Sequence, residues 1–449
     1  MNWMWGVDDW IIILGVLAAL ACAIPGTFLL LRGMSMMGDA ISHAVLPGIA
    51  IGFLISGSRD SVWMFVGAAV AGIMAAILTQ FLHRVGRLDR GASMGVVFTT
   101  FFALGLILIV YTADHVELDP ECVLYGAIEL APIDLVTIAG MEVPRSMPVL
   151  ILIGILNLIV MLLLYKEFKI CSFDPAMASA SGINVQLMNQ ILMIMTAATC
   201  VACFEVVGSI LVVALLVVPA ATARLLSDRL HVVLILSLVV GSIGAALGHL
   251  AAINIPGWFP IDVPDTSTAG MIAVMTGFIF LLAWVFSPIH GLIPRGCHRL
   301  QLKVRIASED ALGLFYRSAE NQQEMTHGKI REVLVDMTDA NVWITWLAMR
   351  QVRRKGLVVI DGDRWALSQE GHRRASELIR SHRLWEVWLW QHADLAADHV
   401  HGQAMRLEHI TDQGMRDELA AQTDASDVDP HGRRIPSVEP PMESDSDED

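Results

Sequence analysis

The sequence carries too little charge for a soluble protein of its length. Only 17% of its 449 residues are Asp, Glu, Lys or Arg, whereas soluble proteins carry about 25%. Hydrophobic residues make up 55% of the chain and mean hydropathy is +0.58. The apolar excess lies almost wholly before residue 295, in runs long enough to cross a bilayer. The composition therefore predicts an integral membrane protein followed by a soluble segment.

Two chemical signatures are also missing. The one CxxC pair, Cys200 and Cys203, ends an apolar run and has no second pair, which argues against a zinc knuckle or a disulfide framework. No GxxxxGK(S/T) phosphate-binding loop occurs, so the chain itself is expected not to be a P-loop ATPase. The first apolar run lacks a basic region before it, which favours a retained span over a signal peptide.

Nine apolar runs are expected to be transmembrane helices, or eight if the nearly continuous stretch 186–226 is one span. They lie near 11–31, 36–55, 62–82, 92–112, 148–165, 186–203, 206–226, 231–253 and 268–288. Basic residues fall mainly in alternate loops, which the positive-inside rule places in the cytoplasm. With nine spans, the C-terminal segment lies in the cytoplasm, attached to a multi-pass protein of the inner (plasma) membrane.

Asp39 and His43 are the polar residues that most need explaining. They are four residues apart in an otherwise apolar run, and that spacing places them on one face of a helix. A carboxylate and an imidazole in a membrane helix are costly unless they serve an ion or each other. Together they offer half of a divalent-metal site. The alternative is a structural polar pair that ties two spans together.

A short helix is predicted in the loop after residue 165. Asp174 and Pro175 are typical of a helix N-terminus, small residues such as Ala178 follow, and Gly182 is typical of a C-terminal cap. An ordinary surface turn and a docking helix for a partner protein both agree with this pattern.

Residues 10–294 resemble the permease subunit of the zinc/manganese/iron family of ABC importers. The segments that carry the resemblance are Met34–Gly48, Gly95–Leu104, Leu118–Gly126, Phe173–Gly182 and Glu205–Arg229. The resemblance implies a pore formed with a second copy or a sister permease, in which Asp39 and His43 hold the passing ion. It also implies two ATPase subunits that receive Asp174 to Gly182 as a coupling helix, and a periplasmic or lipid-anchored metal-binding protein that delivers the ion.

The segment after the spans has the pattern of a winged helix-turn-helix. Helices are expected at 309–320 and 339–355, followed by two short strands around an Asp-Gly turn in 356–367. Residues 307–411 resemble metal-dependent repressors of the diphtheria-toxin and manganese-regulator type. The basic end of the second helix would then face DNA, through Arg350, Arg353 and Arg354.

That second resemblance also implies two metal sites. By position, one would use His382, Glu386 and His401. The other would use Met405, Glu408 and His409, with Asp310 from the first helix. Imidazole, carboxylate and thioether ligands suit manganese, iron or zinc without choosing between them. A solvated polar helix face is the alternative interpretation.

The expected architecture is an all-α polytopic membrane protein with 8–9 transmembrane helices, followed by a cytoplasmic winged helix-turn-helix and a helical metal-binding domain. The expected boundaries are 1–296 for the permease, 297–411 for the winged-helix and metal-binding domain, and 412–449 for an acidic disordered tail. The function expected is that of a permease in an ATP-driven divalent-metal importer with a fused metal sensor. The alternatives are a permease–repressor fusion that binds DNA and a permease for a metal chelate.

Overall fold

The computed structural model describes residues 3–56, 62–112, 128–138, 140–256, 266–323, 332, 342–361, 364–393, 395–423 and 427–437. The chain divides into two compact units, Met1–Pro294 and Arg295–Asp449.

The first unit consists mainly of long apolar helices. Helices α1 to α5 are Asp8–Leu31, Met37–Ala44, Leu46–Ser56, Val62–Val85 and Arg90–Thr112. An antiparallel hairpin follows, formed by β1 (Leu135–Ile138) and β2 (Met141–Pro144). Helices α6 to α11 are Met147–Leu163, Tyr165–Phe173, Pro175–Ala180, Val185–Leu226, Leu230–Asn254 and Thr268–Phe286.

Eight stretches in the described residues are long and apolar enough to span a membrane, and the bent pair α6 and α7 raises the count to nine. The axes of α6 and α7 differ by 74°. Helix α9 contributes two of the spans, because Gly208 has φ 76° and ψ 166° and interrupts the helical backbone. Only glycine adopts such a conformation readily. The predicted eight or nine transmembrane helices are therefore confirmed.

Small residues let these helices pack closely. A Cβ atom added to Gly48 of α3 would lie 2.0 Å from the carbonyl oxygen of Gly67 in α4, so the two backbones are in direct contact. Buried polar groups add specific ties: Asn157 Nδ2 in α6 donates to the Ala21 carbonyl at 3.0 Å and to Thr199 Oγ1 at 2.8 Å. Close approach and interhelical hydrogen bonds are the main forces that join helices in lipid, where burial of apolar surface gives little.

The second unit contains five helices and one hairpin among its described residues. They are α12 (Leu292–Glu320, which begins at the unit boundary), α13 (Val342–Arg354), β3 (Val358–Asp361), β4 (Arg364–Leu367), α14 (Gln369–His392), α15 (Ala397–Leu407) and α16 (Gln413–Gln422). A short 3-10 turn, Glu408–Ile410, continues α15. A buried apolar cluster that includes Ala311, Phe315, Val352 and Leu357 joins α12, α13 and the hairpin.

The winged element has the predicted order of helix and hairpin. Strands β3 and β4 are antiparallel, with Val358 opposite Leu367, and directly follow α13. The helix predicted at 309–320 is the last part of the longer α12. The N-cap expected at Thr338 or Asp339, and Gly362 and Asp363 of the turn, lie outside the described residues.

The structure corrects the expected tail. Residues 413–422 form α16, and the Asp412 side chain caps it by accepting a hydrogen bond from the Met415 N–H at 2.8 Å. A compact turn follows at Asp427–Ile435, named here the C-terminal turn, in which the Asp429 and Ile435 amides donate to the Arg433 and Asp427 carbonyls. The prediction of a disordered tail from residue 412 onward is therefore wrong for α16 and the C-terminal turn. Residues 438–449 lie outside the described chain.

Candidate metal centres

Helix α2 places Asp39 and His43 on one face, as their spacing predicts. His43 Nε2 lies 3.5 Å from Asp39 Oδ1, and the two side chains are 23% and 42% exposed. The imidazole also contacts the rings of Phe98 and Phe102, with centroids 5.1 and 5.6 Å away. An apolar wall thus fixes the imidazole, while the carboxylate remains accessible.

Within the part of the chain that the structure describes, the pair does not form a complete metal site. Among the described residues, no third imidazole, thiolate or carboxylate joins Asp39 and His43 at ligand distance. Two ligands are fewer than a bound transition metal normally takes from protein and water. A metal ion held by this pair would therefore need further ligands.

The short helix predicted at 174–182 is present as α8. Asp174 caps its N-terminus by accepting a hydrogen bond from the Met177 N–H at 2.9 Å. The C-cap is Ser181, and Gly182 follows it with φ 82°. Ala178 is fully buried against Cys171 and Met188, so it cannot contact a partner. Met177 is 61% exposed and is the large apolar side chain that α8 itself presents.

The structure brings His382, Glu386 and His401 together in a cluster named here site 1. His382 and Glu386 are one turn apart on α14, and His401 comes from α15. Glu386 Oε1 lies 3.1 Å from His382 Nε2 and 2.8 Å from His401 Nδ1, and the two nitrogens are 3.0 Å apart. Burial would raise the pKa of Glu386, but hydrogen bonds from the two imidazoles outweigh burial and hold it far below its usual range.

Asp310, Glu408 and His409 form a second cluster, named here site 2. His409 Nε2 lies 3.2 Å from Asp310 Oδ1 and 3.8 Å from Glu408 Oε1. His409 Nδ1 lies 2.8 Å from Glu309 Oε2. Burial would lower the pKa of His409, but hydrogen bonds to Asp310 and Glu309 outweigh it and raise the pKa to about 9. Met405, one turn before His409 on α15, is half-buried.

One imidazole lies between the two sites. His382 Nε2 faces Glu386 of site 1, and His382 Nδ1 lies 2.5 Å from Glu408 Oε2 of site 2. Burial would lower the pKa of His382, but the two carboxylates outweigh burial and raise it. The side chains of His382, Glu386 and Glu408 are each at most 4% exposed.

These residues fit bound divalent metal ions. Despite their short separation, His382 Nδ1 and Glu408 Oε2 lack an aligned hydrogen bond within the described chain. Four carboxylates, from Glu309, Asp310, Glu386 and Glu408, crowd around the imidazoles. Buried polar atoms without regular partners and concentrated buried negative charge are both costly. Metal coordination would satisfy the first and neutralise the second.

The basic residues expected to face DNA lie on the exposed side of α13. Arg350, Arg353 and Arg354 are exposed, and the Arg350 guanidinium stacks 5.2 Å from the centre of the Trp346 ring. Trp343 and Trp346 are 71% and 50% exposed. This helix therefore presents indole rings together with arginines.

Sequence reasoning missed three features of the sites. Glu309 was not selected, although it directly precedes Asp310 and contacts the same histidine. Arg383 is buried and pairs with Glu320 at 2.6 Å, an ion pair between residues 63 apart that local spacing does not reveal. Asp429 and His431 of the C-terminal turn form a third ligand group with Glu386. Both residues lie in an acidic stretch, which composition alone predicts to be a disordered tail.

Long apolar helices with an intramembrane Asp–His pair, followed by a soluble unit rich in ligand clusters, define a polytopic membrane transport protein with a metal-binding domain. Residues 9–287 match the ABC 3 transport family, and the chain belongs to that family. Residues 368–437 match the iron dependent repressor, metal binding and dimerisation domain. This second match runs from the start of α14 to the end of the C-terminal turn.

Individual relatives agree with the family. The chain is 43% identical over 297 residues to the manganese transport system membrane protein MntD of Bacillus subtilis, which covers 66% of this chain and 97% of the relative. It is 36% identical over 366 residues to the zinc transport system membrane protein TroD of Treponema pallidum, covering 80% and 96%. A solved structure, PsaBC from Streptococcus pneumoniae in complex with Fab, aligns with 29% identity and a TM-score of 0.52, covering 63% of this chain and 92% of that one.

Proposed function

We propose that this chain is the membrane-spanning permease of an ATP-driven importer whose cargo is a divalent ion of manganese, zinc or iron. The observation that carries the proposal is the Asp39–His43 pair, a carboxylate and an imidazole on one face of an apolar helix. The names of MntD and TroD, a manganese and a zinc transport protein, support the choice of cargo. A pore for a bulky chelate would have no use for two direct ligands.

The proposed pore contains two permease chains. Because the described residues of one chain place two ligand groups here and no third, a second copy or a sister permease would complete the coordination of the passing ion. A site shared between subunits can open when they move apart, which suits an ion that must be released.

The proposed complex includes separate ATPase subunits and a periplasmic or lipid-anchored metal-binding protein. This chain has no phosphate-binding loop of the Walker A type, so the permease itself catalyses nothing. Helix α8 is the proposed docking element for the ATPase. Met177 on α8 and Phe173 at the end of α7 are both exposed. This assigns the α8 loop, and with it the second unit, to the cytoplasmic side of the inner membrane.

The second unit is the proposed metal sensor of the importer. Sites 1 and 2 supply nitrogen and oxygen ligands from three helices and the 3-10 turn, a donor set that suits manganese, iron or zinc. Metal that accumulates in the cytoplasm would fill these sites and report the supply to the transporter. The proposed domain boundaries are those expected from the sequence, with the second domain extended through the C-terminal turn.

Uptake measurements test the transport proposal. Cells that lack other metal importers would express this chain with its ATPase and binding protein, and accumulation of radiolabelled Mn²⁺, Zn²⁺ and Fe²⁺ would be followed. ATP-dependent uptake of at least one of these ions is expected. Uptake of none of them by a correctly inserted complex would reject the proposed cargo.

DNA binding is the second candidate function of the soluble unit. The exposed arginines Arg350, Arg353 and Arg354 on α13 favour it. Residues 298–411 carry 16 Lys and Arg against 15 Asp and Glu, which is a weak electrostatic surface for binding phosphates. A gel shift with the promoter of the transporter genes, with and without Mn²⁺, tests DNA binding. No retardation in either condition would reject it and leave metal sensing as the one proposed function of this unit.

A further inference from the structure

Helix α13 presents two indole rings beside a row of arginines. The exposed rings of Trp343 and Trp346 meet edge to face, with centroids 6.3 Å apart. Arg350 and Arg353, both exposed, continue the same stripe, because residues three and four apart share a helix face. The other side of the helix is buried through Thr345, Ala348, Met349 and Val352. Two large aromatic side chains on the solvent side of a helix indicate a contact surface.

The first part of α12 extends this basic character. Residues 292–305 of α12 and 342–355 of α13 together contain eight Lys or Arg and no Asp or Glu. The two helices pack through Val304 and Ala348. Residues of both helices line a groove of about 610 Å³, among them Leu300, Leu347, Arg350, Arg354 and Lys355. The near balance of charge over the whole segment 298–411 therefore does not apply to this pair of helices.

We propose that the outer side of α13 binds the headgroups of anionic phospholipids in the membrane that holds the spans. This surface, named here the basic surface, consists of Trp343, Trp346, Arg350, Arg353, Arg354 and Lys355. Its cationic side chains would contact lipid phosphates, and its indoles would lie at headgroup level, where Trp is enriched in membrane proteins. The inference rests on the proposed orientation of the chain only for the choice of leaflet, which would be the cytoplasmic one.

Chain connectivity keeps this part of the molecule close to a bilayer. Helix α11 is the last stretch of the described residues that could span a membrane, and it ends at Phe286. Helix α12 begins at Leu292, so its basic residues follow the span almost directly. Lys and Arg in that position are attracted to an anionic membrane surface. A tethered surface also meets the membrane at high effective concentration, so modest contacts are sufficient for binding.

The indoles favour a lipid surface over DNA. An indole has one N–H donor and no acceptor, whereas base edges are read mainly by Arg, Lys, Asn and Gln. At a membrane interface, an aromatic ring with one polar end is a preferred side chain. The Arg350 guanidinium lies over the Trp346 ring, 5.2 Å from its centre. This stacking places a cation for a phosphate beside a ring for the apolar boundary, and DNA is the competing occupant.

Fluorescence of the full chain in lipid nanodiscs tests the inference. One set of discs contains phosphatidylcholine alone, and the other contains about one third phosphatidylglycerol. Both include phospholipids brominated on the acyl chains, which quench indoles that reach the bilayer. The signal of the basic surface is the difference between the chain with its native indoles and the same chain with Trp343→Phe and Trp346→Phe. These two substitutions keep aromatic rings at exposed positions but remove the indole fluorescence.

Two charge variants, each measured with and without the Phe substitutions, complete the experiment. Arg350→Gln with Arg354→Gln removes two charges from the basic surface. Arg373→Gln with Arg374→Gln removes two exposed charges from α14 and is the matched control. Each Lys or Arg adds about fivefold to the affinity for an anionic membrane surface. The first variant should therefore shift the equilibrium about 25-fold toward the unbound surface, whereas the control should not.

Quenching of the difference signal is expected in discs with phosphatidylglycerol, and about 0.5 M KCl should weaken it by screening. Equal quenching in both lipid compositions would overturn the inference, as would equal quenching in the Arg350→Gln, Arg354→Gln variant and its control. Retardation of promoter DNA that is lost in the same variant, without lipid-dependent quenching, would assign the basic surface to DNA instead. The assay requires neither cargo metal nor the ATPase, so its failure would leave the transport proposal standing.

Discussion

The Asp39–His43 pair and the clusters of the second unit contain similar side chains in different arrangements. The pair supplies two side chains from one short helix, and its carboxylate is 42% exposed. Sites 1 and 2 draw ligands from several elements, and His382, Glu386 and Glu408 are almost fully buried. A transported ion must leave, so its site has to be weak or divided. A sensed ion must stay long enough to be detected, and a buried, multi-element site serves that need.

Removal of the Asp39–His43 ligands is expected to have the largest effect. Asp39→Ala or His43→Ala should lower metal uptake more than about 100-fold, because loss of a direct ligand exceeds the effect of an outer-shell partner. His231→Ala, which changes an exposed imidazole at the start of α10, is the control. Radiolabelled uptake by cells with equal amounts of inserted protein measures the effect. Wild-type uptake by either variant would show that the substituted residue is not a ligand required for transport.

Removal of site 2 should separate sensing from transport. Glu408→Ala with His409→Ala is expected to reduce the metal bound by the soluble unit from two ions to one, with residual affinity at site 2 at least about 100-fold weaker. Uptake at limiting metal should persist, because Asp39 and His43 are intact. Equilibrium dialysis and uptake assays on the same variant provide both readouts. Equal loss of uptake would show that the two regions do not act separately.

The pH dependence of metal affinity sharpens the comparison. His409 has its pKa raised to about 9, so at neutral pH a metal ion must displace its proton. Affinity at site 2 should rise by up to about tenfold between pH 7 and pH 8 and level off above about pH 9. His409→Gln should flatten this slope in calorimetric titrations. An equally steep slope in that variant would assign the proton to another group.

The same proton affects the stability of the metal-free unit in the opposite direction. A raised pKa in the folded state means that protonated His409 stabilises the fold fully below its ordinary pKa of 6.5. That contribution is lost as the pH rises through about 9. Metal-free protein should therefore become less stable in the pH range where metal binding becomes stronger, and thermal unfolding with and without Mn²⁺ measures the difference.

A change in the proposed docking helix should have the smallest effect. Met177→Arg places a charge on the exposed side of α8 and is expected to reduce metal-stimulated ATP hydrolysis about fivefold in the reconstituted complex. Met415→Arg, at a partly exposed methionine of α16, is the matched control. Gly182→Arg is less informative, because φ 82° at Gly182 strains any larger residue. Unchanged ATP hydrolysis in Met177→Arg would show that the ATPase does not dock on this side of α8.

Local spacing predicted the parts of this protein that local rules control. The apolar runs predicted the spans, and the four-residue separations predicted that Asp39 lies near His43 and His382 near Glu386. Asp174 and Pro175 predicted the start of α8. The ligand groups of sites 1 and 2 followed from the resemblance to metal-dependent repressors.

Long-range contacts account for what the sequence did not reveal. The C-terminal turn is held by Arg383 and by Arg380, whose guanidinium donates to the Pro436 carbonyl at 2.7 Å. Neither contact leaves a trace in composition, so an acidic segment with few apolar residues resembled a disordered tail. Ala178 was placed on the wrong face for a similar reason, since six helical residues are too few for a periodic pattern to show which side is buried.

The position of His382 has a consequence for how the two sites can change over evolutionary time. Its ring presents one nitrogen to Glu386 and the other to Glu408. With metal bound as proposed, substitution of this residue would therefore remove a ligand from one site and an electrostatic neighbour from the other in a single step. Mutations at His401 or Asp310 would then tune one site alone, whereas any mutation of His382 would alter both, so we expect the two sites to change together.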